Sequence, residues 1–298
     1  MQKIFKPVLE KMIKEKISGR ELKLLLHIAR YQDDHGTVTG VNYDAASKAA
    51  GICRQSFYDA RDGLVKKGII IVASSHYGDC DITILGNEDL YAAGPADGTA
   101  KPSYLSLHHP MFKSAGFGSM KVRAKLIAMM FIIYAGANDK KSKEGSKGHY
   151  KIKPQKFFEQ YGELLDVKMG TLRQYLTELR RFFSIYIKNA VYYIMPKVNA
   201  FASSKTKSFG SQSDSDLFIS NLISVALRRR PMLRRKYSPS YIKKVEEEVK
   251  PFLCGHLRKP KIAEHFLRAF NLSTQDGNMS VPYINKLFQK ELAGLAGQ

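Results

Sequence analysis

Arg173, Gln174, Thr177 and Arg181 recur at the spacing that puts side chains on one face of a helix. Their chemistry suits base edges: arginine pairs bidentately with guanine, glutamine with adenine, and threonine can touch a base or a phosphate. Gly170, near the start of that helix, lets the backbone approach a partner closely. Lys168 and Arg180 flank the face and suit phosphate oxygens, contacts that position without specifying sequence. The alternative is an ordinary solvated face.

Three other groups invite the same question. Gln55 and Tyr58 offer base-contacting chemistry on an earlier helix, but Asp59 and Asp62 share their face and would be repelled by phosphates. That helix is expected to be the weaker reader, with contacts to a second copy of the chain as its other use. Lys140, Lys141, Lys143 and Lys147 crowd one loop, either as phosphate contacts or as a solubilising segment. Arg228, Arg229, Arg230, Arg234, Arg235 and Lys236 put six cations into nine residues around Pro231. That run is expected to track a nucleic-acid backbone, with an anionic membrane surface or an acidic protein as the alternative.

Charge is distributed accordingly. The 298 residues carry a net +21, which implies a polyanionic partner. Residues 1–98 hold 13 basic and 13 acidic side chains, residues 99–204 hold 18 and 6, and residues 205–298 hold 17 and 8. The excess lies wholly in the last two thirds.

Other chemistry is weakly signalled. Phosphate-cradling glycine loops, nucleophile elbows and zinc-protease helices are missing from the sequence. His108 and His109 are adjacent on an extended segment and so point to opposite faces, which disfavours a metal pair. Cys53, Cys80 and Cys254 are scattered, signalling neither zinc nor a disulfide framework and fitting a reducing cytoplasm. His265, Arg268 and Tyr283 weakly resemble the cation-and-tyrosine set of tyrosine recombinases, without a convincing upstream arginine. No cofactor, no metal and no enzymatic activity are expected. The longest apolar stretch, Leu126 to Ala137, is too short for a bilayer, so no membrane partner is expected either.

The elements that must position these groups can be read from local signals. Ser18 and Glu21 have capping-box spacing and open a helix to about Gln32. A polar loop from Asp33 to Val41 follows, then a short helix capped by Asn42 and ended by Gly51, then a third helix from about Arg54 to Lys67 that buries Cys53, Phe57, Ala60 and Leu64. Ile69 to Val72 and Asp81 to Leu85 make a hairpin. The same order returns: a strongly apolar helix from Lys121 to Ala137, an extended piece at Tyr150 to Lys153, a helix from Pro154 to Leu165, and one from Lys168 to Phe183 capped by Asp166. A hairpin turning at Lys188 and Asn189 closes the set. Helix, helix, helix and hairpin is the order of a winged helix, whose third helix enters the major groove.

The expected fold is therefore mainly α with small β-hairpins. Two winged-helix domains (1–86 and 104–199) would be joined by a linker at 87–103. A serine-rich linker at 200–215 would lead to an all-helical basic region at 216–298.

Two winged helices joined by a short linker resemble the layout of plasmid and phage replication initiators. The segment from Tyr104 to Phe112, running into Arg123-Ala124-Lys125-Leu126, is similar to the strand, turn and helix that open their second module. The resemblance spans roughly residues 18–196 and implies that Arg173, Gln174, Thr177 and Arg181 inherit the base-reading role; the acidic first face departs from an equal partnership. The expected function is transcriptional regulation, favoured by base rate among winged helices, with a replication initiator, favoured by the tandem layout, as the alternative; a recombinase and an RNA-binding protein are the rivals of other classes. The expected partner is double-stranded DNA in the bacterial nucleoid, with a possible homodimer.

Overall fold

The computed structural model describes residues 2–74, 77–88, 103–139, 150–197, 214–230, 237–256 and 261–293. The chain opens with strand β1 (Lys3–Phe5) and helix α1 (Lys6–Lys14), followed by α2 (Gly19–Ile28), β2 (Thr37–Val41), α3 (Tyr43–Ala50), α4 (Arg54–Lys66), β3 (Ile70–Ser74) and β4 (Cys80–Ile84). Local chemistry explains most of these boundaries. The Ser18 hydroxyl accepts from the Glu21 N–H and the Glu21 carboxylate accepts from the Ser18 N–H, which starts α2. Asn42 accepts from Asp44 and Ala45, and Gly51 at φ 62° ends α3 in the left-handed region.

The second set comprises β5 (Tyr104–Ser106), a 3-10 turn (Pro110–Lys113), α5 (Ala115–Ser119), α6 (Val122–Asp139), β6 (Tyr150–Ile152), α7 (Pro154–Leu165), α8 (Met169–Leu179), β7 (Phe183–Lys188) and β8 (Val191–Pro196). The two three-stranded antiparallel sheets have matching orders, β2-β4-β3 and β6-β8-β7. The strand that follows α2 pairs with the last strand of its hairpin, and so does the strand that follows α6. The last described residues form α9 (Asp214–Arg228), α10 (Pro239–Cys254), α11 (Ile262–Gln275) and α12 (Val281–Ala293). The chain is thus mixed α and β, mainly helical, with small antiparallel sheets. Among the described residues no helix is long and apolar enough to cross a membrane.

Several elements differ from the sequence expectation. The supposed polar loop at residues 33–41 contains β2, with Val38 buried against β4; glycines in the left-handed region at 36 and 40 masked its strand character. Asp166 does not cap α8: it ends α7 in the left-handed region, at φ 49°, and its carboxylate takes a 2.7 Å contact from Lys16. The second hairpin turns one residue later than expected, at Asn189 and Ala190, both with positive φ as a two-residue loop requires. Cys53 is exposed at the start of α4 rather than buried.

The two helix-and-hairpin sets also meet through strand pairing and side-chain packing. Strand β1 pairs antiparallel with β5, Ile4 opposite Leu105. Helix α1 buries Val8, Leu9, Met12 and Ile13 and packs on α6 and α7. One continuous core runs from Ile4 to Ile194. At its centre is α6, apolar on all sides as a helix enclosed by others must be. Asn87, placed in the linker by its sequence, is fully buried: its carbonyl accepts from the Phe5 N–H (2.9 Å) and its amide donates to Lys3 O (2.8 Å) and to Gln32 Oε1 (2.7 Å). The helices α9 to α12 have a second core of their own.

A shared core predicts a shared transition. Leu9→Ala should cost on the order of 2–5 kcal/mol, and denaturant should melt α4 and α8 together, as followed by hydrogen exchange. Separate midpoints for the two helices would show that each set folds alone.

Candidate nucleic-acid interface

Helix α8 is held by Leu172, Tyr175, Leu176 and Leu179, all buried; it ends at Leu179, so Phe183, expected as its last residue, is instead buried as the first residue of β7. This packing fixes the opposite face. Arg173, Gln174 and Thr177 are exposed along it and Lys168 and Arg180 at its two ends; Arg181, expected on the helix, is exposed in the turn two residues beyond its last residue, Leu179. The Arg173 guanidinium lies over the Phe158 ring at 5.7 Å, which limits its swing, and the Thr177 hydroxyl donates to Arg173 O at 3.0 Å. A Cβ built at Gly170 would meet nothing within 4 Å, so that helix end is open to a partner.

Helix α4 occupies the equivalent position in the first set, but its polar side chains bind one another. Gln55 donates to Asp59 at 2.8 Å and Arg61 to Asp62 at 2.8 Å. Tyr58 is half-buried beside Tyr43, with the Arg54 and Arg61 guanidiniums 6.0 and 5.0 Å from its ring. At the start of the helix the Cys53 thiol is held below its usual range, first by the hydrogen bond from Ser56.

Three arginines of the basic run that begins at the end of α9, Arg228, Arg229 and Arg230, expected on a phosphate backbone, have partners inside the molecule. Arg229 donates through Nε and Nη2 to the two oxygens of Asp79 at 3.2 and 3.0 Å, and Nη2 lies 3.6 Å from Asp81. Its side chain is 12% exposed and that of Asp79 is 2% exposed. Arg228 donates to Gly40 O, and Arg230 donates to Asn271 Oδ1 at 3.0 Å. Asn221 adds a bond to Thr39 O at 3.2 Å. Gly40, at φ 66°, lets α9 come this near: a Cβ there would fall 2.5 Å from the Val225 methyls. The reason lies in partner choice, because a cation cluster looks alike in sequence whether its counter-charge is a phosphate or a distant aspartate. Lys140, Lys141, Lys143, Lys147, Arg234, Arg235 and Lys236 lie outside the described residues, as does most of each proposed linker.

The remaining candidates are scattered. The Tyr283 hydroxyl donates to Asp276 at 2.6 Å, Arg268 pairs with Glu264 on its own helix, and His265 is buried with Nδ1 3.7 Å from Glu291. His109 accepts from the Met111 N–H to start the 3-10 turn. No group of three or more metal-type ligands occurs among the described residues.

Comparisons with protein-family models, with curated proteins and with solved structures found no match to this chain.

Two predictions follow from the α9 seam. Arg229→Ala removes the bidentate partner of the nearly buried Asp79, with Arg228 Nη2 still 3.8 Å away, and should cost about 3 kcal/mol in thermal or denaturant unfolding; an unchanged midpoint would mean that the bidentate pair contributes nothing. His27 lines the groove between α2, β2 and α9, and burial, followed by repulsion from Arg30, pushes its pKa down to about 4. The unfolded imidazole titrates near 6.5, so between pH ~6.5 and ~4 the unfolded chain holds more protons and stability falls as pH falls. His27→Gln should flatten that part of the stability profile; an identical slope in wild type and variant would exclude His27 as its source.

Proposed function

We propose that this chain is a sequence-specific double-stranded DNA-binding protein made of two fused winged-helix modules, and that α8 is its principal reader. The observation that carries the reading is the exposed face Arg173, Gln174 and Thr177 on the third helix of a helix–strand–helix–helix–hairpin unit, with Arg181 exposed in the turn just after it. Such a helix is narrow enough for the major groove, and these side chains have the donors that distinguish guanine and adenine edges there. Lys168 and Arg180 stand where phosphates would flank it. The net +12 of residues 99–204 supplies the field that steers a polyanion to this part of the molecule.

The first module assists rather than leads. Its third helix carries Gln55 and Tyr58 already engaged, beside Asp59 and Asp62. The cation run that begins at the end of α9, expected on a nucleic-acid backbone, is engaged within the molecule at Arg228, Arg229 and Arg230.

Within this reading, the fusion of the two modules favours a replication initiator over a transcriptional regulator. A common core holds two potential reading helices at one fixed separation in a single chain, which suits adjacent DNA segments without dimerisation. Footprinting separates the two: an array of direct repeats at an origin supports the initiator, and isolated promoter sites support the regulator.

The base-reading assignment is tested with a site selected from a random duplex pool. Arg173→Ala should lower the preference for that site over random duplex by roughly tenfold or more, with little change on random duplex. Equal losses on both would refute α8 as the reader.

A further inference from the structure

The outward face of the second sheet is unused by this reading, and its side chains form an ordered column. Lys151 on β6 is opposite Tyr193 on β8, which is opposite Tyr186 on β7. The Lys151 ammonium lies 5.3 Å from the centre of the Tyr193 ring. The Tyr193 and Tyr186 rings are stacked, 5.3 Å apart and 8° from parallel. The opposite face of the sheet is the core face, carrying Tyr150, Ile152, Tyr192 and Ile194, with Tyr192 against Phe157 and Phe158. Because β7 is an edge strand, the column ends there: Tyr186 is 43% exposed, and among the described residues only Tyr193 stacks on its ring.

We propose that this face is a stacking platform for single-stranded DNA, a nucleobase extending the column on the free side of Tyr186. Three observations select that partner. A flat ring held by a stacked neighbour is presented ready-made to another π-face. The three strands contain no acidic residue, while Lys151, Lys153 and Lys188 are exposed on or beside the face, where a phosphodiester chain would run. Duplex DNA shows only base edges and phosphates to a protein surface, so a ring-face site is matched by an unpaired strand. The choice of DNA over RNA rests on the proposed duplex binding by α8, since opening that duplex delivers a single strand beside the same module.

The test is fluorescence anisotropy on the full chain, with a labelled single-stranded oligothymidylate of about 16 nucleotides and a random duplex of equal length. Tyr186→Ala should raise Kd for the single strand roughly tenfold and leave the duplex Kd unchanged. Tyr186→Phe keeps the ring and should bind as wild type does. Tyr186→Leu keeps apolar bulk without a π-face and should behave as Ala does, which separates stacking from a folding defect. Equal binding by all four proteins overturns the platform, as does a parallel loss on the duplex or wild-type behaviour of the Leu variant. Preference for oligouridylate over oligothymidylate overturns the assignment to DNA. Arg173→Ala should leave single-strand binding intact, so loss of the α8 reading and loss of this one give different patterns.

Discussion

Helix α1 cannot be stable alone: nine residues are too few to hold a helix in water, and its four buried side chains need an apolar surface to cover. That surface belongs to α6 and α7, more than a hundred residues away. Once α1 is seated there, β1 is delivered to β5, and the buried polar groups of that corner must be satisfied. Asn87 and Gln32 do this from the far side of the first set, bonding to the backbone of β1. The N-terminal segment is therefore a staple through both helix-and-hairpin sets. Their relative position follows from one core rather than from a linker, and the spacing of α4 and α8 is inherited from it.

Charge is arranged around this frame in two ways. In the second set the cations of α8 are exposed, so their field acts outward. In the first set polar and charged side chains of α4 pair with neighbouring carboxylates at the surface, and at its seam with α9 an arginine is neutralised inside the fold. Gln55 meets Asp59, Arg61 meets Asp62, and Arg229 meets the nearly buried Asp79. A guanidinium in a bidentate pair with a buried carboxylate is held by Coulomb attraction in a medium that screens poorly, and moving it to a phosphate would break both of those hydrogen bonds. The inequality of the two modules thus comes from the pairing of charges as well as their number.

Much of the fold was legible in short-range signals. The Ser18–Glu21 box, Asn42 and Gly51 at either end of α3, Pro154 at the start of α7 and the period of buried residues in α8 act within a turn or two of chain. They need no knowledge of the rest. The same holds for the exposed face at 173, 174 and 177, whose orientation follows from the apolar stripe behind it; the helix stops before 181. Strand β2 was hidden because its glycines break the alternation, and Tyr175 because its ring reads as neither core nor surface.

What the sequence alone determined was local: where helices begin and end, which stripe of each is apolar, and where positive charge accumulates. Tertiary structure decided which surfaces meet. Nothing near Met12 says that it packs on α6 and α7, nothing near Asn87 says that it bonds to β1, and nothing in Arg228-Arg229-Arg230 says that the counter-charge is Asp79. The Lys151, Tyr193 and Tyr186 column likewise exists only once strand register is set. The physical reason is common to all four: a side chain's affinity is encoded in its type, but its partner is fixed by long-range chain closure, which local spacing does not record.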